Sequence, residues 1–189
     1  KPVVYLAAID SGRWHPASAV ENQPVTVDLG GGRTWSPANY DGSTSKPVPL
    51  VQALARSLNL PAVRVGLDVG VPGVIDTLRT LGVERQVPAQ PSVLLGAVSM
   101  TPFEIAGLYG VFASGGFRAP PRAVRDVLDH QGKPLQRYGL EIERVAEPAS
   151  IAQVSQAMTQ VFEKGTAASA RATLAKDLRA AGKTGTTND

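Results

Sequence analysis

Three kinds of side chain in this sequence could carry chemistry: two histidines, a few serines near lysines, and a Lys-Thr-Gly run close to the last residue. A serine triad would need His15 or His130 poised between a hydroxyl and a carboxylate. His15 precedes Pro16 and His130 stands two before Gly132, so both are predicted on exposed turns. No H-E-x-x-H or paired-histidine spacing is present, which gives a zinc site no support, and no metal is expected. Without histidine, a serine must be activated by another base. A lysine whose ammonium is desolvated, or held near other cations, loses its proton readily enough to serve. The S-x-x-K spacing suits this, because residues i and i+3 of a helix share a face.

Ser43-Thr-Ser-Lys46 has that spacing, but it lies in Asp41-Gly-Ser-Thr-Ser-Lys-Pro47. Pro47 disfavours helical geometry at Lys46, so a loop is predicted there. Ser57-Leu-Asn59 is an S-x-N triplet whose serine could relay a proton and whose carboxamide can both donate and accept. On its own it reads as the end of a helix. Lys183-Thr-Gly-Thr186 reads as a strand edge. Its lysine and threonines could bind a carboxylate, Gly185 would let a ligand approach the backbone, and an exposed N–H could stabilise an oxyanion. Gly182-Lys183-Thr184 also ends like a phosphate-binding loop, but that motif needs glycine where Asp177 stands, and this reading fails. S-x-N followed by K-T-G, in a lysine-activated serine scheme, is far more specific than either alone.

The elements that must position these groups are mostly helical, with short hairpins. Lys1 to Ile9 is apolar and predicts a helix. Val25–Val27 and Arg33–Trp35 flank Gly30-Gly31-Gly32 and predict a hairpin. Pro49, Pro61 and Pro72 are placed to open helices, through about Ser57 and near 61–69 and 72–81. Thr101-Pro-Phe-Glu104 is a capping box opening a helix over 102–114, with Ile105, Leu108, Tyr109 and Phe112 as its apolar stripe. Val124–Leu128 and Pro134–Tyr138 predict a second hairpin. Ser150 is predicted to cap a helix striped by Ile151, Val154, Met158, Val161 and Phe162. The aromatic and methionine residues of these stripes read as core.

Composition narrows the class. The chain has 189 residues, a one-domain length, and is 43% hydrophobic with 5% aromatic residues. Its net charge of +3, from 19 basic and 16 acidic residues without a basic run, gives nucleic-acid binding little support. It has no cysteine, which excludes disulfides and thiolate metal ligands. No apolar run approaches the ~18 residues of a membrane helix.

With these motifs in hand, the chain resembles the transpeptidase domain of class A, bifunctional penicillin-binding proteins, in particular the 1B type. The resemblance runs along essentially the whole chain. It is carried by Lys1-Pro-Val-Val-Tyr-Leu-Ala-Ala8, Trp35-Ser-Pro-Ala-Asn39, Ala53–Pro61, Leu95–Pro102, Phe112-Ala-Ser-Gly-Gly116 and Gly182–Asn188. It implies an α/β (α+β) penicillin-binding and serine β-lactamase-like fold, of which this chain supplies mostly the helical part, short hairpins and the K-T-G strand. In this family the lysine of S-x-x-K is followed by proline and an apolar helix, as Lys1-Pro2 is. The family also places S-x-N roughly sixty residues after the nucleophile. Ser43 lies only 14 residues before Ser57, which does not fit, so Ser43 and Lys46 are read as a decoy. The nucleophile is expected three residues before Lys1, outside the chain.

The resemblance assigns roles residue by residue. Lys1 would be the general base, Ser57 a proton shuttle and Asn59 a holder of the substrate amide. Lys183 would supply positive potential. Thr184 and Thr186 would bind the terminal carboxylate, with Thr186 N–H forming half of an oxyanion hole and Gly185 leaving room. The implied partners are peptidoglycan stem peptides ending in D-Ala-D-Ala and β-lactams, with no cofactor. The chain is expected to be a partial domain over residues 1–189, lacking upstream strands and later sheet strands and helix. The parent protein is expected to carry a glycosyltransferase domain and a membrane anchor at the periplasmic face of the bacterial inner membrane. Two alternatives stand beside this reading. One is a β-lactamase or D,D-carboxypeptidase of the same fold, although no glutamate-bearing loop to position a deacylating water is evident. The other is a non-catalytic peptidoglycan-binding module.

Overall fold

The computed structural model describes residues 1–175 and 177–185. At its centre is α1 (Pro2–Asp10), whose residues Pro2 to Ile9 are all buried. A helix that is apolar on every side must be surrounded on every side. α3 (Asn59–Val69), α4 (Val71–Thr80) and α6 (Pro148–Glu163) pack around it, and α2 (Leu50–Ala55) packs against α6. Leu6, Leu54, Val63 and Ile151, each at most 1% exposed, lie in the interior of this bundle. Burying one such side chain is worth about 1.5–3 kcal/mol.

Among the described residues the strands form four separate antiparallel pairs. β1 (Ala19–Asn22) pairs with β4 (Ser45–Pro49), and β2 (Val27–Gly30) with β3 (Arg33–Trp35). β5 (Phe117–Arg118) pairs with β8 (Glu143–Arg144), and β6 (Asp126–Leu128) with β7 (Pro134–Arg137). Both predicted hairpins are therefore present; in the first, the strand expected over 25–27 is shifted to Val27–Gly30, and the second is shortened at its outer ends. The architecture is the expected mixture of helices and short strands.

α5 (Pro102–Ala113) begins with the predicted capping box. Glu104 N–H donates to Thr101 Oγ1 at 3.2 Å, and Thr101 N–H to Glu104 Oε2 at 2.7 Å. Its stripe departs from expectation at Ile105, which is 45% exposed, while Leu108 and Phe112 are buried.

Three other expectations are corrected. Pro61 does not open its helix. α3 starts at Asn59, and Pro61 occupies the first turn, where a missing N–H costs little. Ser150 is not a cap either, because Pro148 already opens α6. Ser150 is instead buried and donates from Oγ to Asp10 Oδ1 at 2.9 Å, tying α6 to the end of α1. Finally, Lys183–Gly185 form no strand, since no described segment offers a hydrogen-bonded ladder partner. A strand needs such a partner to exist at all.

Candidate active site

The site is built where α1 begins and α2 hands over to α3. Lys1 directly precedes α1, whose proline-opened first turn points its start at the α2–α3 junction. From Lys1, Nζ donates to Ser57 O at 2.9 Å, to Ser57 Oγ at 3.2 Å and to Asn59 Oδ1 at 2.5 Å. An ammonium has three donors, and all three are used. Burial pushes the Lys1 amine from 10.5 down to about 8. An amine in that range is a usable base near neutral pH.

Ser57 owes its position to an unusual backbone. α2 ends with Ser57 N–H donating to Leu54 O at 3.0 Å and Leu58 N–H to Ala53 O at 3.0 Å. This doubly bonded helix ending puts its residue just past the cap in the left-handed region, where glycine is the usual occupant. Ser57 has φ 58° and is the sole non-glycine with positive φ among the described residues. A side chain held there costs about 1–2 kcal/mol. The cost places the hydroxyl on Lys1.

Asn59 is the first residue of α3. Its carboxamide is held at both ends: Nδ2 donates to Ala38 O at 2.7 Å, and Oδ1 accepts from Lys1. The backbone of Asn59 is held by Asn39, which is buried.

Lys183 and Thr184 approach the site on a segment without strand pairing. Nζ of Lys183 donates to Thr184 O at 2.9 Å and to Thr184 Oγ1 at 3.2 Å. Burial and then the nearby positive charge of Lys1 lower its amine to about 8, which brings the two lysines into one electrostatic site. Thr166, unremarkable in the sequence, anchors this segment. Its Oγ1 pairs with Thr184 Oγ1 at 2.5 Å, and its N–H donates to Ala55 O at 3.3 Å. Gly165 permits that crossing, because a Cβ there would lie 2.2 Å from Ala55 O. Nothing lies within 4 Å of where a Cβ on Gly185 would sit, so this glycine has open space beside it. Thr186 lies outside the described residues.

The decoy motif stays apart from this arrangement. Ser43 sits in a loop, its carbonyl accepting from Asn39 Nδ2 at 2.7 Å, and Lys46 is exposed on β4. Both histidines are exposed in loops.

A desolvated lysine amine against a hydroxyl and a carboxamide is equipment for moving a proton. Comparison gives it a family. The Penicillin binding protein transpeptidase domain family matches residues 1–189, and the chain belongs to that family. Penicillin-binding protein 1B of Haemophilus influenzae is 37% identical over 191 residues, an alignment covering 100% of this chain and 24% of that protein. The chain thus spans about a quarter of the length of the curated relatives it matches. Among solved structures, Penicillin-Binding Protein 1A from Haemophilus influenzae shares the fold with a TM-score of 0.86 at 23% identity, over 93% of this chain and 32% of that one. Penicillin-binding protein A from M. tuberculosis, solved as a penicillin G acyl-enzyme complex, has a TM-score of 0.75 at 20% identity, over 86% of this chain and 42% of that one.

Proposed function

We propose that this chain carries the base and proton-relay half of a D,D-transpeptidase site that cross-links peptidoglycan stem peptides through a serine acyl-enzyme. The observation that carries this reading is the convergence of Lys1 Nζ on Ser57 Oγ and Asn59 Oδ1. Lys1 and the α2–α3 junction, more than fifty positions apart in the chain, meet there, which supports a lysine-activated serine scheme.

In this reading the nucleophile is a serine three positions before Lys1. Neutral Lys1 takes its Oγ–H proton as Oγ attacks the penultimate D-alanine carbonyl. The C–N bond to the terminal D-alanine then breaks, and the proton reaches the leaving amine by way of Ser57. The amine of a second stem peptide attacks the resulting ester, restoring the serine. Asn59 Nδ2 and Oδ1 orient the donor's amide, and Lys183 supplies positive potential. Thr184 and Thr186 receive the terminal carboxylate, with Thr186 N–H as one oxyanion donor and Gly185 leaving space for the ligand. A β-lactam acylates the same serine when its ring amide opens. The parent protein carries its glycosyltransferase domain and membrane anchor elsewhere and works at the periplasmic face of the inner membrane.

The test uses a protein that includes the residues preceding Lys1, incubated with fluorescent penicillin and, separately, with a D-Ala-D-Ala stem peptide and an amine acceptor. Covalent labelling and amine-dependent release of D-alanine are expected, while the chain beginning at Lys1 gives no adduct. D-alanine release indifferent to the amine would mean transfer to water instead. Tight peptide binding without an adduct would mean a binding module.

A further inference from the structure

We propose that Asn39 is the positioning residue of this site, capping α3 from a distance and thereby setting Asn59 against Lys1. The inference rests on the reading of Lys1, Ser57 and Asn59 as transfer machinery, and its geometry stands apart from that reading. A helix begins with N–H groups that lack intrahelical acceptors, and a residue just ahead of it normally supplies an oxygen. The residue ahead of α3 is Leu58, which has no side-chain oxygen to offer. Asn39, twenty positions earlier, supplies it. Its Oδ1 accepts from Asn59 N–H at 2.7 Å and from Leu60 N–H at 3.2 Å.

The other end of the same carboxamide is equally committed. Nδ2 donates to Asn22 Oδ1 at 2.8 Å and to Ser43 O at 2.7 Å. Asn22 in turn donates to Ser45 Oγ at 3.0 Å. Asn39 is 5% exposed and Asn22 1%, so water cannot replace these partners without opening the core. One buried side chain thus joins β1, the 39–43 turn and the first turn of α3. Its neighbour completes the clamp, since Ala38 O holds Asn59 Nδ2 and leaves Oδ1 turned to Lys1. Asn39 touches none of the reacting groups and acts through Asn59 alone.

Two substitutions separate positioning from general packing. Asn39→Asp keeps the oxygen toward the α3 amides, gives up the Nδ2 donation to Asn22 Oδ1 and Ser43 O, and adds a negative charge near the Lys1–Asn59 pair. The other charged groups around this strap are Lys183, Arg64, whose guanidinium is bonded to Gln23 O and Pro24 O, and the exposed pair Asp41 and Arg56. Asn39→Ala removes the cap outright. In the 189-residue chain, the Lys1 side-chain titration and amide exchange are read by NMR.

Asn39→Asp is expected to raise the Lys1 midpoint by about one pH unit. Asn39→Ala is expected to speed exchange at Asn59 and Leu60 at least about tenfold while α6 stays protected. In the protein carrying the upstream residues, Asn39→Asp should move the lower limb of the acylation rate–pH profile upward by a similar interval. An unmoved Lys1 titration in Asn39→Asp overturns the proposal, even if Asn39→Ala does not fold. Unchanged exchange at Asn59 and Leu60 in a folded Asn39→Ala overturns it as well. Absence of acylation in the unsubstituted protein would sink the transpeptidase reading and leave the NMR result to decide the positioning role.

Discussion

The two lysines of the site are held in opposite ways. Lys1 is fixed by the core: it adjoins the central helix and bonds residues 56 and 58 positions away. Among the described residues Lys183 bonds its own neighbour, Thr184, and that segment is anchored through Thr166 and through Gly182 N–H to Met158 O at 3.4 Å. Both amines are lowered to about 8, yet one rests on a packed bundle and the other on a segment without a sheet partner. The Lys1–Ser57–Asn59 cluster is thus set by helix packing, whereas Lys183 lies on a segment that has no ladder partner among the described residues.

Substitutions should respect this division. Lys1→Met should lower the acylation rate about a thousandfold, measured by fluorescent penicillin labelling of the protein with upstream residues. Lys183→Met should cost less, about tenfold, because it alters potential rather than proton transfer. Equal losses would erase the proposed distinction. Gly165→Ala should destabilise the chain by about 3 kcal/mol, since the new Cβ meets Ala55 O and Val161 Cα at 2.2 and 2.7 Å. Urea denaturation would measure it, and a neutral result would show that the 165–166 crossing is not rigid.

Protonation gives a subtler effect. Both lysines titrate lower in the folded chain than the ordinary 10.5, so the unfolded chain binds more protons between about 8 and 10.5. Stability should therefore rise as pH increases through that window, and Lys1→Met should flatten the rise more than Lys183→Met. The smallest effect has the opposite sign for fold and function. Ser57→Gly should stabilise the fold by about 1 kcal/mol by relieving the left-handed serine, while loss of the proposed relay hydroxyl should slow acylation.

Local signals announced much of this structure. The capping box of α5 and the glycine turn between β2 and β3 were readable because each rests on neighbours in the chain. S-x-N and K-T-G marked the residues that converge, although nothing local showed that Lys1 would lie on Ser57. Asn39 stands in the Trp35–Asn39 stretch, but its role and that of Thr166 are not legible there, because a single asparagine or threonine gains meaning only from distant partners, Asn59 for one and Thr184 for the other. The helix expected through about Ser57 ends at Ala55, because the serine adopts a conformation usually reserved for glycine. The Lys183–Gly185 strand failed for a related reason: strand character belongs to a pair of segments, and the described residues hold just one.

The proposed role of Lys1 is decided by mapping the penicillin adduct by mass spectrometry in a protein that includes the residues preceding Lys1. One acylated serine is expected, three positions before Lys1, with labelling nearly abolished by Lys1→Met and unaffected by Ser43→Ala. An adduct on Ser43 or Ser57, or labelling that survives Lys1→Met at the parental rate, would contradict it.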